Sequence, residues 1–208
     1  MSEMNPYDML RVGIYGGTFA PVHNGHVEAA KAFMEQMKLD YLFIIPSYMP
    51  PHKQIDVADD PLLRLKMCEL AFEGIDGIVI SDVEIKRGGK SYTYDTVKEL
   101  MRPDTRLFLL LGTDMVLTFD EWYRFEDIFK MCYPVYVRRE KDPLITNRIV
   151  SKITEYYEKY GVMIRRIVTE PTVISSTEVR EAVRNGKDIS GMVPKNVAEF
   201  ISERGLYK

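Results

Sequence analysis

Apolar residues in this chain follow two alternating patterns. Short runs that are almost wholly apolar, such as Tyr-Leu-Phe-Ile-Ile at 41–45, are typical of strands buried on both faces of a sheet. Between them, apolar residues recur every three or four positions, which is the spacing of one helix face. The runs predict strands at 10–15, 41–45, 78–85, 106–111, 135–137 and 162–168. The periodic stretches predict helices at 27–37, 61–73, 93–101, 115–118, 124–130, 145–160, 177–185 and 194–204.

Strands that alternate with helices indicate βαβ units, which form a mostly parallel sheet covered by helices on both faces. Because such crossovers are right-handed, we predict an α/β fold with a doubly wound sheet, followed by C-terminal helices. In this architecture ligands bind at the carboxyl ends of the strands. No repeat, long linker or low-complexity stretch interrupts the chain, so residues 1–208 are predicted to form a single domain.

Composition narrows the classes of protein that the chain can represent. Its 208 residues suffice for one substantial core, and its net charge of −3 gives no general attraction to nucleic acid or to an anionic membrane. No run approaches the roughly 18 apolar residues of a membrane span, and residues 1–8 lack the pattern of an export signal. Cys68 and Cys132 lie far apart in apolar patterns, which predicts two reduced core residues. We therefore expect a cytoplasmic protein.

The stretch richest in chemistry is 13–26, Gly-Ile-Tyr-Gly-Gly-Thr-Phe-Ala-Pro-Val-His-Asn-Gly-His, which joins the first predicted strand to the first helix. A strand, a glycine-containing turn and a helix N-terminus together present backbone N–H groups and the positive end of a helix dipole to an anion. We expect Gly16 and Gly17 to adopt positive φ and to let the backbone approach a ligand. His23 and His26 would share a face of the helix start. Two histidines in this setting favour a phosphate site over a plain turn with surface histidines.

A second candidate phosphate site begins the helix predicted at 177–185. Three adjacent hydroxyl residues, Ser175, Ser176 and Thr177, stand at its start, and Arg180 follows about one turn later. Ordinary helix capping would need only one of these hydroxyls. The arginine could reach back to the same anion as the helix N-terminus.

Further polar and aromatic residues lie near the ends of predicted strands or at helix starts. These are His52, Lys53, Ser91, Tyr92, Thr93, Thr96, Gly112, Asp114, Trp122 and Arg138. Each kind has an ordinary structural alternative, which is a solvated loop for Lys53, a capped helix start for Thr93, an N-cap for Asp114 and a core position for Trp122. The chain has neither the P-loop motif nor G-x-G-x-x-G, so it resembles neither a P-loop protein nor a dinucleotide-dependent oxidoreductase.

These motifs together resemble those of one enzyme family. The matching motifs are G-G-T-F-x-P-x-H-x-G-H at 16–26, P-P-H-K at 50–53, S-Y-T-x-D-T at 91–96, G-x-D at 112–114 and I-S-S-T-x-x-R at 174–180. The set is similar to that of the bacterial nicotinate mononucleotide adenylyltransferases, which belong to the H-x-G-H nucleotidyltransferase superfamily, and it extends over nearly the whole chain. Ala20 departs from the pattern because these enzymes most often carry Asp there, so no carboxylate role is implied at this position.

The resemblance implies a Rossmann-like nucleotidyltransferase fold and an activity in NAD biosynthesis. The implied reaction transfers the adenylyl group of ATP to nicotinate mononucleotide and gives deamido-NAD and pyrophosphate. Nicotinamide mononucleotide or phosphopantetheine as the acceptor, and a nucleotide-binding sensor without turnover, stay open as alternatives. The implied partners are these small molecules, with Mg²⁺ carried by the ATP phosphates and without a protein metal site, nucleic acid or membrane. A homo-oligomer is left open.

The resemblance also implies a role for each motif. It implies catalytic roles for His23, His26, Lys53 and Arg180. It implies contacts to ATP for Gly16, Gly17, Thr18, Phe19, Gly25, Gly112, Asp114, Ile174, Ser175 and Ser176. It implies contacts to the mononucleotide for His52, Ser91, Tyr92, Thr93, Thr96 and Trp122, with Trp122 stacked on the pyridine ring. Arg138, at the end of the fifth predicted strand, is a further candidate to bind the phosphate or carboxylate of the substrate, and Arg139 beside it could equally serve.

Overall fold

The computed structural model describes residues 9–50, 60–138, 143–169 and 174–208. Within these ranges one sheet contains six parallel strands in the spatial order β3-β2-β1-β4-β5-β6. The strands are β1 (Leu10–Gly17), β2 (Tyr41–Pro46), β3 (Ile78–Ile80), β4 (Thr105–Gly112), β5 (Tyr133–Val137) and β6 (Arg165–Ile167). The predicted doubly wound parallel sheet is confirmed.

Helices connect the strands and cover the sheet. In the described ranges they are α1 (Asn24–Met37), α2 (Pro61–Ala71), α3 (Val83–Arg87), α4 (Thr93–Leu100), α5 (Thr113–Leu117), α6 (Phe125–Met131), α7 (Pro143–Tyr160), α8 (Ser176–Arg184) and α9 (Lys195–Arg204). A short 3-10 helix, Phe119–Glu121, follows α5. Helix ends use the expected chemistry, since the Asp60 carboxylate caps α2 by accepting from the Leu62 N–H at 2.8 Å.

The sheet separates two apolar cores because successive side chains of a strand point to opposite faces. Along β4, Leu107, Leu109 and Leu111 belong to one core, whereas Phe108 and Leu110 belong to the other. All five side chains are buried. Burial on both faces explains why this strand reads as one continuous apolar run in the sequence.

The order of the strands leaves a crevice at the centre of the sheet, between the connections that follow β1 and β4. The chain leaves β1 towards β2 on one side and returns to β4 on the other, so the two halves of the fold diverge beside the carboxyl end of β1. This end of β1 leads directly into the turn at 18–23 and then into α1. The topology therefore gives the candidate phosphate turn the open position in the fold.

Two predicted strands are wrong in extent. The third ends at Ile80, and the alternating residues 82–85 belong instead to the region of α3, where Glu84 is buried and Val83 and Ile85 are only half-buried. A stretch this short does not distinguish a period of 2 from a period of 3.6. The sixth strand is reduced to Arg165–Ile167, which pairs along one side with β5.

Both cysteines lie in the core as free thiols. Burial raises the pKa of the Cys132 thiol to about 12 and raises the pKa of Cys68 further. In the described part of the chain no helix combines the length and apolar character that crossing a membrane requires.

The Tyr156 hydroxyl ties α7 to the segment after β4. It accepts from the Asp120 backbone N–H at 3.2 Å and lies 3.1 Å from the buried carbonyl oxygen of Val116. We expect Tyr156→Phe to lower the free energy of unfolding by about 1 to 2 kcal/mol, because these groups lose a partner while the ring keeps its packing. The midpoint of urea denaturation measures this loss.

Tyr157 provides the matched control, since it is the next residue of α7 and its side chain is 57% exposed. Tyr157→Phe should leave the urea midpoint unchanged. Equal midpoints for the two variants would contradict the assigned role of the Tyr156 hydroxyl.

Candidate active site

In the turn at 18–23, the residue with positive φ is not one of the glycines for which the sequence pattern predicted it. Gly16 and Gly17 are the last residues of β1 and do not adopt positive φ, so that prediction is wrong. The left-handed residue is Phe19, with a φ of 51°. A bulky residue is strained there, and its buried ring holds it by edge-to-face contacts with Tyr15 and His26, at centroid distances of 5.4 and 5.0 Å. Packing therefore sets the shape of the turn.

Three glycines of β1 differ in what surrounds them. A Cβ at Gly13 would lie 2.5 Å from Leu39 and 2.7 Å from Leu42, and a Cβ at Gly17 would lie 3.1 Å from the Phe19 ring. Among the residues that the structure describes, a Cβ at Gly16 would meet no neighbouring atom within 4 Å. The strand thus leaves open space at Gly16, where a ligand can approach the backbone.

His23 and His26 lie together at the start of α1. Both are buried, and their ring centroids are 3.7 Å apart with the planes inclined by 31°. The His23 backbone N–H donates to His26 Nδ1 at 3.2 Å, which caps the helix. Because an N–H can only donate, this bond requires Nδ1 to accept, and neutral His26 then carries its proton on Nε2. In this tautomer Nε2 is the donor atom of the His26 ring.

The N-terminus of α1 is electrostatically suited to an anion. The helix has 14 residues, and its first turn contains no acidic side chain. The Asn24 backbone N–H already donates to the Met192 carbonyl, so a C-terminal segment orients this end of the helix. The positive end of the helix dipole thus faces the turn without an internal carboxylate to neutralise it.

Helix α8 packs its first turns on the same turn. The Ser176 hydroxyl donates to the Pro21 carbonyl oxygen at 2.9 Å, and the Arg180 guanidinium donates to the Ala20 carbonyl oxygen at 2.7 Å. Two segments more than 150 residues apart in sequence therefore meet, as their placement after β1 and β6 predicted. Because the acceptor at position 20 is a backbone oxygen, the contact does not depend on the side chain there.

Ser175 fulfils the structural alternative considered above. Its hydroxyl accepts from the Glu178 N–H at 3.2 Å, and the Glu178 carboxylate accepts from the Ser175 N–H at 2.7 Å, which is a capping box. The hydrogen bonds from Ser175 hold the pKa of the Glu178 carboxyl below its ordinary value. Ser175 itself is exposed.

A second group of predicted residues is aromatic. The Tyr92 ring packs on Tyr123 at 4.7 Å, which brings the start of α4 to the segment that contains Trp122. Trp122 itself is half-buried and packs on Phe119 at 4.9 Å. Tyr123, which the sequence motifs do not include, is 51% exposed. The structure thus pairs two predicted substrate segments through an unpredicted tyrosine.

Ser91 and Thr96 are buried, and their hydroxyls bond within the protein. The Ser91 oxygen accepts from the Tyr48 and Met49 N–H groups at 2.9 and 3.3 Å, and the Thr96 hydroxyl donates to Glu84 at 2.6 Å. Burial raises the pKa of the Glu84 carboxyl above its ordinary value, while hydrogen bonds from Thr96 and Ser91 oppose that shift. These two hydroxyls support the segment at 91–96 from inside.

Arg64 is a residue that the motif search missed. Its side chain is fully buried, and it donates to the Thr18 carbonyl oxygen at 2.8 Å and to the Tyr48 carbonyl oxygen at 3.2 Å. The available signal was a charged residue on the face of α2 that also buries Met67 and Cys68. A buried arginine is rare unless it is hydrogen-bonded, and this pattern identifies it.

The remaining predicted residues occupy the ends of strands and helix starts. Gly112 ends β4, where a Cβ would lie 2.9 Å from the Asp114 carboxylate, and Asp114 is exposed in the first turn of α5. The half-buried residues Thr18, Gly25, Thr93, Arg138 and Ile174 lie at the β1–α1 turn, in α1, in α4, after β5 and before α8, respectively. His52 and Lys53 lie outside the described residues. The described part of the chain contains no group of three or more His, Cys, Asp or Glu side chains that could hold a metal ion.

Comparison with known proteins gives one consistent result. The profile of the cytidylyltransferase-like family matches residues 14–182. A probable nicotinate-nucleotide adenylyltransferase of Clostridium botulinum is 37% identical over 96% of this chain and 99% of its own. A protein of the same name from Streptococcus pneumoniae is 38% identical over 99% of this chain and 92% of its own. The solved nicotinic acid mononucleotide adenylyltransferase of Plasmodium falciparum, complexed with NaAD, shares the fold with a TM-score of 0.72, at 18% identity and over 95% and 97% of the two chains.

The buried Glu84 carboxyl should make the stability of the fold depend on pH. Its pKa is raised in the folded state above the ordinary 4.5, so the folded state binds this proton more tightly than the unfolded state does and loses stability as the pH rises. Glu84→Gln keeps an acceptor for Thr96 but has no proton to lose. We expect its stability relative to the natural chain to increase as the pH rises above the ordinary 4.5, and urea denaturation over the interval from about pH 5 to pH 8 measures this change.

Glu99→Gln is the control, because Glu99 is an exposed ion-pair partner of Arg87, which also lies 3.9 Å from Glu84. Its stability relative to the natural chain should change little over the same interval. If the Glu84→Gln difference is constant with pH, the burial does not perturb this carboxyl as described.

Proposed function

The chain belongs to the cytidylyltransferase-like family and, within it, to the nicotinate-nucleotide adenylyltransferases, and we propose from this how its residues transfer the adenylyl group of ATP to nicotinate mononucleotide. The products are deamido-NAD and pyrophosphate, and the reaction is a step of NAD biosynthesis. A phosphate oxygen of the mononucleotide attacks the α-phosphorus of ATP, and the bond from that phosphorus to the bridging oxygen of the pyrophosphate breaks. The nucleophile is ionised at neutral pH, so the reaction needs neither a strong base nor a covalent intermediate.

Catalysis in this proposal consists of positioning and charge stabilisation. His26 Nε2 and His23 would donate to the triphosphate and to the charge that develops in the transition state. Arg180 and the N-terminus of α8 would bind the leaving pyrophosphate, and Lys53 would neutralise further charge. The observation that carries the proposal is the seating of Arg180 and Ser176 on the turn before α1, which directs two helix N-termini and two histidines to one place.

The aromatic group would bind the mononucleotide. In the proposal the pyridine ring stacks on Trp122, and the start of α4 at Thr93 provides backbone donors to the nicotinate carboxylate. The contact between Tyr92 and Tyr123 supports this assignment because it joins the two segments. His52 and Arg138 would bind the mononucleotide phosphate or carboxylate. Ser91 and Thr96 act indirectly, since their hydroxyls hold the segment from within.

Gly112 and Asp114 would bind the adenosine. Asp114 is exposed at the carboxyl end of β4, which is the edge where acidic residues accept from ribose hydroxyls in dinucleotide sites. Gly16 would lie against the nucleotide, because its backbone faces space that no atom of the described residues fills. We propose that ATP arrives as its Mg²⁺ complex, in which the phosphates and water hold the ion. The free buried thiols are consistent with the reducing cytoplasm.

Pyrophosphate release tests the reaction and its acceptor. With Mg²⁺-ATP, we expect release with nicotinate mononucleotide to exceed release with nicotinamide mononucleotide and with phosphopantetheine. The backbone donors at Thr93 match a carboxylate better than they match an amide, which explains the expected order. Release only with phosphopantetheine would replace the acceptor, and ATP binding without any release would indicate a sensor.

Two substitutions separate the catalytic and capping roles of His26. His26→Asn keeps an acceptor near Nδ1 for the His23 N–H but removes Nε2. We expect it to melt close to the natural chain and to lower kcat by about 100-fold or more, because a donor to the developing charge is lost. His26→Gln, whose amide nitrogen reaches towards the Nε2 position, should keep more activity. A natural kcat in the Asn variant would exclude His26 from the chemistry.

A further inference from the structure

Arg64 carries a charge at a place where the fold alone favours an apolar residue. It lies in the first half of α2 on the face that also buries Met67, Cys68 and Ala71, and its side chain is 0% exposed. Burying a guanidinium costs several kcal/mol before its hydrogen bonds are counted. A well-packed apolar side chain of similar volume often stabilises such a position at least as well. The presence of arginine therefore calls for an explanation in terms of its hydrogen bonds.

The guanidinium joins two loops at the carboxyl edge of the sheet. Nη1 donates to the Thr18 carbonyl in the turn after β1, and Nη2 donates to the Tyr48 carbonyl in the loop after β2. Neighbouring nitrogens of one rigid planar group thus fix the spacing of two backbone segments. A lysine has one nitrogen on a flexible stem and cannot reproduce this spacing.

The loop after β2 transmits this spacing to the start of α4. The Ser47 N–H donates to the Gly17 carbonyl at 2.9 Å, and the Tyr48 N–H donates to the Ser91 hydroxyl oxygen at 2.9 Å. The Met49 carbonyl accepts from the Ser91 N–H at 2.8 Å. The loop is therefore bonded on one side to the end of β1 and on the other side to the residue before Tyr92.

We propose that Arg64 is a positioning residue for adenylyl transfer, which fixes the distance between the turn at Thr18 that holds the triphosphate and the Tyr48–Ser91 contact that supports the mononucleotide side. This inference rests on the proposed function. In-line attack requires the two substrates to be held close to their reacting geometry, and a displacement of about 1 Å can lower the rate about 100-fold. Arg64 acts through the two loops and contacts the substrates through neither of its bonds to them.

The test compares Arg64→Met and Arg64→Lys with the natural enzyme. Both variants should lower kcat for pyrophosphate release by about 10- to 100-fold, with a smaller change in the KM for each substrate, because the defect lies in their relative placement. Lysine restores the charge but not the paired contact, so its failure to restore kcat would separate positioning from simple electrostatics. Thermal melting of both variants establishes that they are folded.

Arg11 supplies the matched control, since its guanidinium also donates to backbone carbonyls, at Met37 and Lys38. It lies near the amino end of β1, about 20 Å along the strand from Gly17. Arg11→Met should reduce the melting temperature without a fall in kcat. A variant of Arg64 that loses melting temperature but keeps the natural kcat would show a purely structural role and overturn the inference.

Hydrogen exchange provides a readout that does not depend on the reaction. In Arg64→Met, the amides of peptides covering 17–19 and 47–50 should exchange at least about ten-fold faster at unchanged global stability, because local opening governs their protection. Unchanged exchange in both peptides would overturn the positioning inference whatever the activity. If the natural enzyme releases no pyrophosphate, the proposed function fails, and the exchange result still decides whether Arg64 fixes the two loops.

Discussion

The hydrogen bond from Arg180 to the Ala20 carbonyl oxygen joins the motif at 174–180 to the motif at 16–26. The arrangement of the candidate site depends on this contact. Together with the Ser176 bond to Pro21, it places α8 against the turn that precedes α1. Each helix N-terminus alone is a weak and common anion site. Here Arg180 and Ser176 bring the first turns of α8 to the turn that leads into α1, beside His23 and His26. The sheet makes this possible because its parallel strands all deliver their following segments to one edge.

Polar groups that the fold would otherwise exclude are concentrated at this same edge. Arg64, Glu84 and His23 are buried there, whereas the two cores on the faces of the sheet are apolar. Phe19 adds backbone strain in the turn itself. Each of these features lowers stability or contributes little to it, and each fixes the position of a loop. The two apolar cores provide the stability that offsets these features, as is common in enzymes.

The sequence pattern predicted the elements best where burial is complete. Strands β2 and β4 are apolar on both faces and were placed within one residue of their observed bounds, because no other structure accommodates such runs. The strand prediction is wrong at 82–85, where the alternating residues belong to the start of a short helix. That helix buries the Glu84 carboxylate, which accepts a hydrogen bond from Thr96. Tertiary contacts cause this burial, so the local sequence has no helical period that would indicate it.

The site was predictable to the level of motifs but not of contacts. The meeting of the glycine turn with the hydroxyl-rich helix followed from strand order, yet its acceptors proved to be the backbone oxygens of Ala20 and Pro21, which have no signature in side-chain identity. The positive φ belongs to Phe19 because aromatic packing outweighs its steric preference. The sequence did not indicate a role for Arg64, because a single charged residue on an apolar helix face matches no catalytic motif.

The three glycines of β1 are retained for different reasons, and this has an evolutionary consequence. A methyl group at Gly13 would lie 2.5 Å from Leu39 and 2.7 Å from Leu42, and one at Gly17 would crowd the Phe19 ring at 3.1 Å, so packing within the protein disfavours a side chain at both positions. A methyl group at Gly16 would lie within 4 Å of no neighbouring atom in the described part of the chain. In the proposed function, the nucleotide that lies against Gly16 would keep that position small. In a descendant that no longer bound nucleotide, substitutions at Gly16 would therefore be tolerated, whereas Gly13 and Gly17 would stay restricted by packing.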